Sequence, residues 1–243
     1  MNQAGLYALL SILLFRYFFK SEAIFFKNFI LGILFPSLLN SFFLIISLFT
    51  GFPPTIYFYN NSTFSFSHSL FIALILAVML YIVSEIKRNR HYKIAGVSFL
   101  LGFIVHVFCD MIFWVDPVYV FWPIRDSDLA LTLSGLLFEV LDKCKSQTLI
   151  ALLLEFLFLQ FYAKSLIEVL IEGNSDAKII QTVTSYQIRQ LNLFVIFFIL
   201  FFVFYYMDIG NSNFLFIPFN ILYFLSLFTA IFITYKAKIV FSK

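Results

Sequence analysis

Three ionisable side chains stand where the chain has least use for charge. His68, His106 and Asp110 lie in or at the edge of long apolar stretches, whereas most other charged residues gather in short loops. His106 and Asp110 are four residues apart, so on a helix they share one face. Two imidazoles and a carboxylate are the donor set of an open zinc site of the catalytic kind, with a fourth position left for water. Such a metal lowers the pKa of bound water to about 7 and supplies hydroxide for attack on an ester or phosphoester. The competing account is structural. A His–Asp pair at this spacing can be a hydrogen bond between packed helices, with His68 a residue of the helix boundary. Ser67 and Ser69 flank His68 and are candidates to fix its ring from outside the donor set. Glu155, inside another apolar stretch, is the one membrane-buried candidate for a general base. Snorkelling, or an ion pair with Lys143 or Lys145, is its structural alternative.

The elements that must position these residues are membrane helices. Of 243 residues 62% are apolar and 12% charged, with 37 Phe and a mean hydropathy of +0.98. Soluble domains run at roughly 45–50% apolar and about 25% charged, so a soluble enzyme and a disordered tail are both excluded. The net charge of +3 gives no reason to invoke nucleic acid. Cys109 and Cys144 form no spacing pattern for a disulfide framework or a zinc ribbon. The fold class expected is all-α: a polytopic membrane protein of six to seven hydrophobic helices plus one outer interfacial segment. A crossing helix needs about 20 mostly apolar residues. Asn28–Thr50, His68–Ile86, Ile94–Val115, Thr148–Ile171, Leu191–Met207 and Phe214–Tyr235 supply six candidates. Gly5–Phe15 is shorter, and is a short span, a re-entrant segment or an interfacial helix. No basic n-region or small-residue cleavage site marks a signal peptide.

Basic residues orient the spans. Placing the loops around Lys20, Arg88, Lys178 and the C-terminal tail in the cytoplasm puts 13 of the 16 Lys and Arg there, leaving Arg125, Lys143 and Lys145 outside. That assignment requires Leu129–Lys145 to lie on the outer surface without crossing. It also carries His106 and Asp110 roughly 18 and 24 Å along their helix from Ile94, at about 1.5 Å per residue, to the level at which His68 opens the preceding span. Trp114 and Trp122 fit an interfacial aromatic belt. Asn28, Gly32, Pro36 and Asn40 recur every four residues and make a helix-packing seam. Pro36, lacking a backbone donor, is expected to break or kink its helix. No repeat or long linker divides the chain, so residues 1–243 form one membrane domain.

Phe66-Ser67-His68-Ser69-Leu70 resembles the phenylalanine-threonine-histidine-serine-leucine signature of the bacterial membrane-bound metal-dependent hydrolases, inner-membrane proteins some of which are LexA-regulated. Gly102 to Met111 is similar to that family's glycine-x-x-x-histidine-x-x-x-aspartate-methionine helix, and Phe121-Trp122-Pro123 to its aromatic-tryptophan-proline. The resemblance covers Pro36–Pro123; the C-terminal spans, 147–235, are generic. It implies an inner-membrane hydrolase in which a divalent metal, zinc for instance, is held by His68, His106 and Asp110. The chain departs from the family at Pro36-Ser37-Leu38-Leu39, which keeps only the proline of a proline-aspartate-x-aspartate element. Thr63 replaces a histidine, and no histidine precedes His68. A degenerate member with one metal and three protein ligands is the resulting expectation. Its substrate would be a lipid or periplasmic ester or phosphoester, its surroundings the lipid bilayer, its C-terminus cytoplasmic. The alternatives are a non-catalytic membrane scaffold and an ion- or proton-coupled transporter. The latter lacks the paired discontinuous helices and inverted repeat that transporters show.

Overall fold

The computed structural model describes residues 4–17, 23–50, 67–113, 118–121, 130–131, 147–173, 175–206 and 213–237. These residues are helical almost throughout. The helices are α1 (Ala4–Tyr17), α2 (Ala23–Thr50), α3 (Leu70–Lys87), α4 (Arg90–Phe113), α5 (Gln147–Glu172), α6 (Ala177–Tyr206) and α7 (Asn213–Lys236). Val118–Tyr119 and Ala130–Leu131 pair as a two-residue antiparallel ladder. Among the described residues five helices, α2, α3, α4, α6 and α7, are long and apolar enough to cross a membrane. The 26-residue α5 has the length but carries Glu155, Lys164, Glu168 and Glu172. Trp114, Trp122 and, apart from Ala130–Leu131, the segment Leu129–Lys145 expected on the outer surface lie outside the described residues.

The helices group into two compact units. One comprises Gln3–Ala23 and Lys145–Lys243, the other Ile24–Cys144. In the first, α1 is a short helix. Its 14 residues rise only about 21 Å, short of the roughly 30 Å of a bilayer core. Ala4, Tyr7, Ala8, Ser11, Ile12 and Phe15 are buried, a helical stripe of one face. That face packs along α5, and polar contacts fix both ends. The Gly5 N–H donates to Glu155 Oε2 at 2.7 Å, and Arg16 meets Glu168 and Glu172 at 2.5 and 2.6 Å. The two helices therefore run parallel. Phe156, Phe197 and Phe219 stack α5, α6 and α7 together, with centroids 4.7–5.7 Å apart.

The second unit holds the three site residues. α3 and α4 form an antiparallel hairpin closed by Arg88 and Asn89. Arg88 takes the left-handed conformation, φ 47°, and its N–H donates to the Glu85 carbonyl. Gly96 lies so close to Ala77 and Leu80 across the hairpin that a Cβ would touch both. α2 packs on α4 more tightly still. A Cβ on Gly32 would fall well inside contact with the Phe99 carbonyl oxygen, and one on Gly102 would do the same at Phe29. Membrane helices approach this closely where small residues let backbone meet backbone. The expected seam on α2 is thus occupied at Gly32. Of the break or kink expected at Pro36, the break does not occur, because α2 continues from Ala23 to Thr50. Proline removes one intrahelical bond, and in a membrane helix its neighbours can re-satisfy the freed backbone group.

The outward faces are apolar. Only 11% of the α3 span and 17% of the α6 span is buried. Phe71, Leu74, Ile75, Val78 and Met79 on α3 and Val195, Ile196, Ile199 and Phe202 on α6 are exposed. Apolar surface of that extent is lipid-facing.

Candidate metal centre

Hairpin arithmetic brings the three residues together. His68 lies 20 residues before Arg88 at the turn, and His106 and Asp110 lie 18 and 22 after it. Equal arms of an antiparallel pair place the start of α3 between the two residues on α4. His68 sits just before α3, where the backbone has not yet entered the helix; Ser69 is the N-cap, with φ −72° and ψ 120°. The first free helical donor, Leu70 N–H, goes to the Val120 carbonyl at 2.9 Å. That bond ties the chain after α4 back onto the residue beside His68. Phe103, Val107 and Val120 form a buried apolar cluster with Ala73 and Phe99 around this end of the hairpin.

All three side chains are fully buried. Asp110 Oδ2 is 2.7 Å from His68 Nε2 and 3.0 Å from His106 Nε2, and the two Nε2 atoms are 3.3 Å apart. Ser67 Oγ lies 2.8 Å from His68 Nδ1 and fixes that ring with Nε2 toward the carboxylate. Ser69 is buried next to it, and its hydroxyl makes no capping bond to α3.

Three Lewis-basic atoms this close repel one another unless something positive lies among them. A proton on an imidazole is one solution; a metal ion is the other. The spacing admits both: 2.7 and 3.0 Å are hydrogen-bond lengths, and 3.3 Å is the edge of a zinc tetrahedron. Tetrahedral zinc with bonds of about 2.0–2.1 Å sets its ligand atoms about 3.3–3.4 Å apart. In this triangle, of sides 2.7, 3.0 and 3.3 Å, a point about 2.0–2.1 Å from all three atoms lies about 1 Å off the plane. Among the described residues this is the one group of three or more His, Cys, Asp or Glu placed to hold a metal ion. No family model, curated protein or solved structure matches this chain.

The structure brings His68, His106 and Asp110 together and adds Ser67. Glu155 belongs to the other compact unit, where it receives the Gly5 N–H; Lys143 and Lys145 lie outside the described residues. Ser37, on α2, is fully buried, and among the described residues its Oγ has no hydrogen-bond partner. Two features escaped sequence reasoning. The Gly5–Glu155 bond was foreshadowed only by an acidic residue in a long apolar helix, which does not say what it meets. The Leu70–Val120 bond joins backbone atoms and carries no residue-type signal at all.

Proposed function

We propose that this chain is a membrane-embedded metal-dependent hydrolase, with His68, His106 and Asp110 as ligands of one divalent metal, zinc by preference. The observation that carries the reading is the convergence of three buried donor atoms within 3.3 Å of one another. Apolar surroundings make an uncompensated carboxylate costly, so a cation at this place stabilises the fold as well as the site. The bound metal would lower the pKa of a water molecule and polarise an ester or phosphoester oxygen. The chain's own contribution is to exclude bulk water, to hold His68 through Ser67, and to keep Asp110 as the anionic ligand. The substrate class is a lipid or periplasmic ester or phosphoester, reached from a membrane that we take to be the bacterial inner membrane with the C-terminus in the cytoplasm.

Metal content of the detergent-purified protein tests the reading. The expected result is about one zinc per chain, lost on His106→Ala, with chelator-sensitive hydrolysis of generic phosphoesters. Absence of metal after loading with zinc, cobalt and manganese in turn rejects it. Bound metal without turnover on any ester or phosphoester would favour the second reading, a non-catalytic scaffold. The absence of an acidic residue at Ser37 and Leu39 is the observation that supports that alternative.

A further inference from the structure

The other end of the same hairpin carries a second constellation, which the metal reading does not use. Lys87, Arg88, Arg90 and Lys93 are packed into seven residues and all are exposed. The turn that presents them is fixed by its own bonds. Arg88 N–H donates to Glu85 O and Asn89 N–H to Ser84 O. Ser84 Oγ donates to Asn89 O at 2.9 Å, and Asn89 Oδ1 accepts the His91 N–H at 3.0 Å. The two lysines are held across the hairpin in opposite senses. Lys87 of α3 lies 5.9 Å from the Tyr92 ring of α4, and Lys93 of α4 lies 5.1 Å from the Tyr81 ring of α3. Among the described residues none of the four cations forms an ion pair. The spans of α3 and α4 both end at this turn, which puts the cations at the level where hydrocarbon gives way to headgroups. Below them the flanks are apolar and open: Ile86 is 76% exposed, and Ile82 and Val97 about half exposed.

We infer that this turn binds the headgroup of an anionic phospholipid, with the acyl chains lying along the exposed sides of α3 and α4. A phosphodiester wants several cations converging at a fixed height above an apolar wall, and the turn offers that arrangement already ordered. Guanidinium groups add paired donors suited to phosphate oxygens. A basic loop that merely orients the helices needs charge but neither the rigid turn nor the reciprocal lysine–tyrosine contacts. The lipid site is independent of the metal site, since His106 lies 16 residues beyond Arg90, about 24 Å along α4.

The test titrates the full-length purified protein with phosphatidylglycerol and, separately, phosphatidylcholine, reading retained lipid by native mass spectrometry and stability by thermal melting. Phosphatidylglycerol should bind at least about tenfold more tightly and raise the melting temperature. The double variant Arg88→Gln, Arg90→Gln should bind it about thirtyfold more weakly, by two lost surface cations, while melting normally in phosphatidylcholine. The variant Arg88→Lys, Arg90→Lys should keep most of the preference, which guards against misfolding of the neutral one. A control with the same charge loss elsewhere, Lys164→Gln with Lys178→Gln, should behave as the parent. Equal binding of the two lipids overturns the inference, as does an equal loss in the control. Displacement of the lipid by millimolar glycerol phosphate would also overturn it, because the turn would then be a site for free phosphoesters.

Discussion

His68 is the informative residue of the proposed metal centre, because helix periodicity alone places His106 and Asp110 together. Replacing it with Ala removes one of three donors and is expected to abolish metal binding, read as metal per chain after dialysis. Ser67→Ala is a subtler probe. The hydroxyl meets the ring at Nδ1, the nitrogen away from the carboxylate, and loss of such an orienting contact lowers metal affinity by about tenfold to a hundredfold. An unchanged affinity would mean that packing alone sets the ring. Metal affinity should also fall as pH drops, because protons compete with the metal for the imidazole nitrogens. A binding curve flat from pH 8 to 5 would contradict imidazole ligation. Glu155 makes a separate prediction. Its carboxylate accepts a backbone donor at the start of α1 in a buried setting. Glu155→Ala leaves that donor without this acceptor and should cost about 1–3 kcal/mol. Glu155→Gln, which keeps an acceptor oxygen, should recover most of the loss in thermal melting.

At the scale of elements, the α2–α4 contact depends on two glycines that let carbonyl groups sit where a side chain would begin. Gly32→Ala and Gly102→Ala should each destabilise the protein by about 1–3 kcal/mol, the usual cost of overpacking. Gly102→Ala should in addition weaken metal binding, because Gly102 lies one turn before His106 on the same face. Melting and metal titration of the two variants measure both effects, and wild-type values in both assays would show that the helices separate at no cost. Much of this geometry was legible beforehand. Apolar stretches marked the five spans, and the four-residue period marked Gly32 as a packing position. The topology chosen from the basic residues placed His68 near the level of His106 and Asp110. What escaped was set by contacts that residue type does not encode. The passage of α2 through Pro36 depends on what its neighbours offer the freed carbonyl, and the parallel docking of α1 on α5 depends on a backbone N–H reaching Glu155.

For the whole molecule the decisive question is which way it faces. The site lies at the end of the α3–α4 hairpin away from the basic turn, so fixing the turn fixes the site. Basic loops are retained on the cytoplasmic side because moving Lys and Arg across a membrane is opposed during insertion. Lys87, Arg88, Arg90 and Lys93 form the densest basic loop of the chain and should therefore be cytoplasmic, leaving the proposed metal centre in the opposite half of the membrane. Single cysteines at Arg90 and Thr63, in a background with Cys109 and Cys144 replaced by Ser, make this testable with a membrane-impermeant maleimide. In intact cells Thr63→Cys should label and Arg90→Cys should not; after permeabilisation both should label. Labelling of both from outside would reverse or unmake the hairpin topology. Labelling of Arg90→Cys alone would place the centre in the cytoplasmic half and direct the search for substrate to that leaflet. The expected pattern instead makes lipids of the leaflet opposite the basic turn, and esters on that side of the membrane, the first compounds to try.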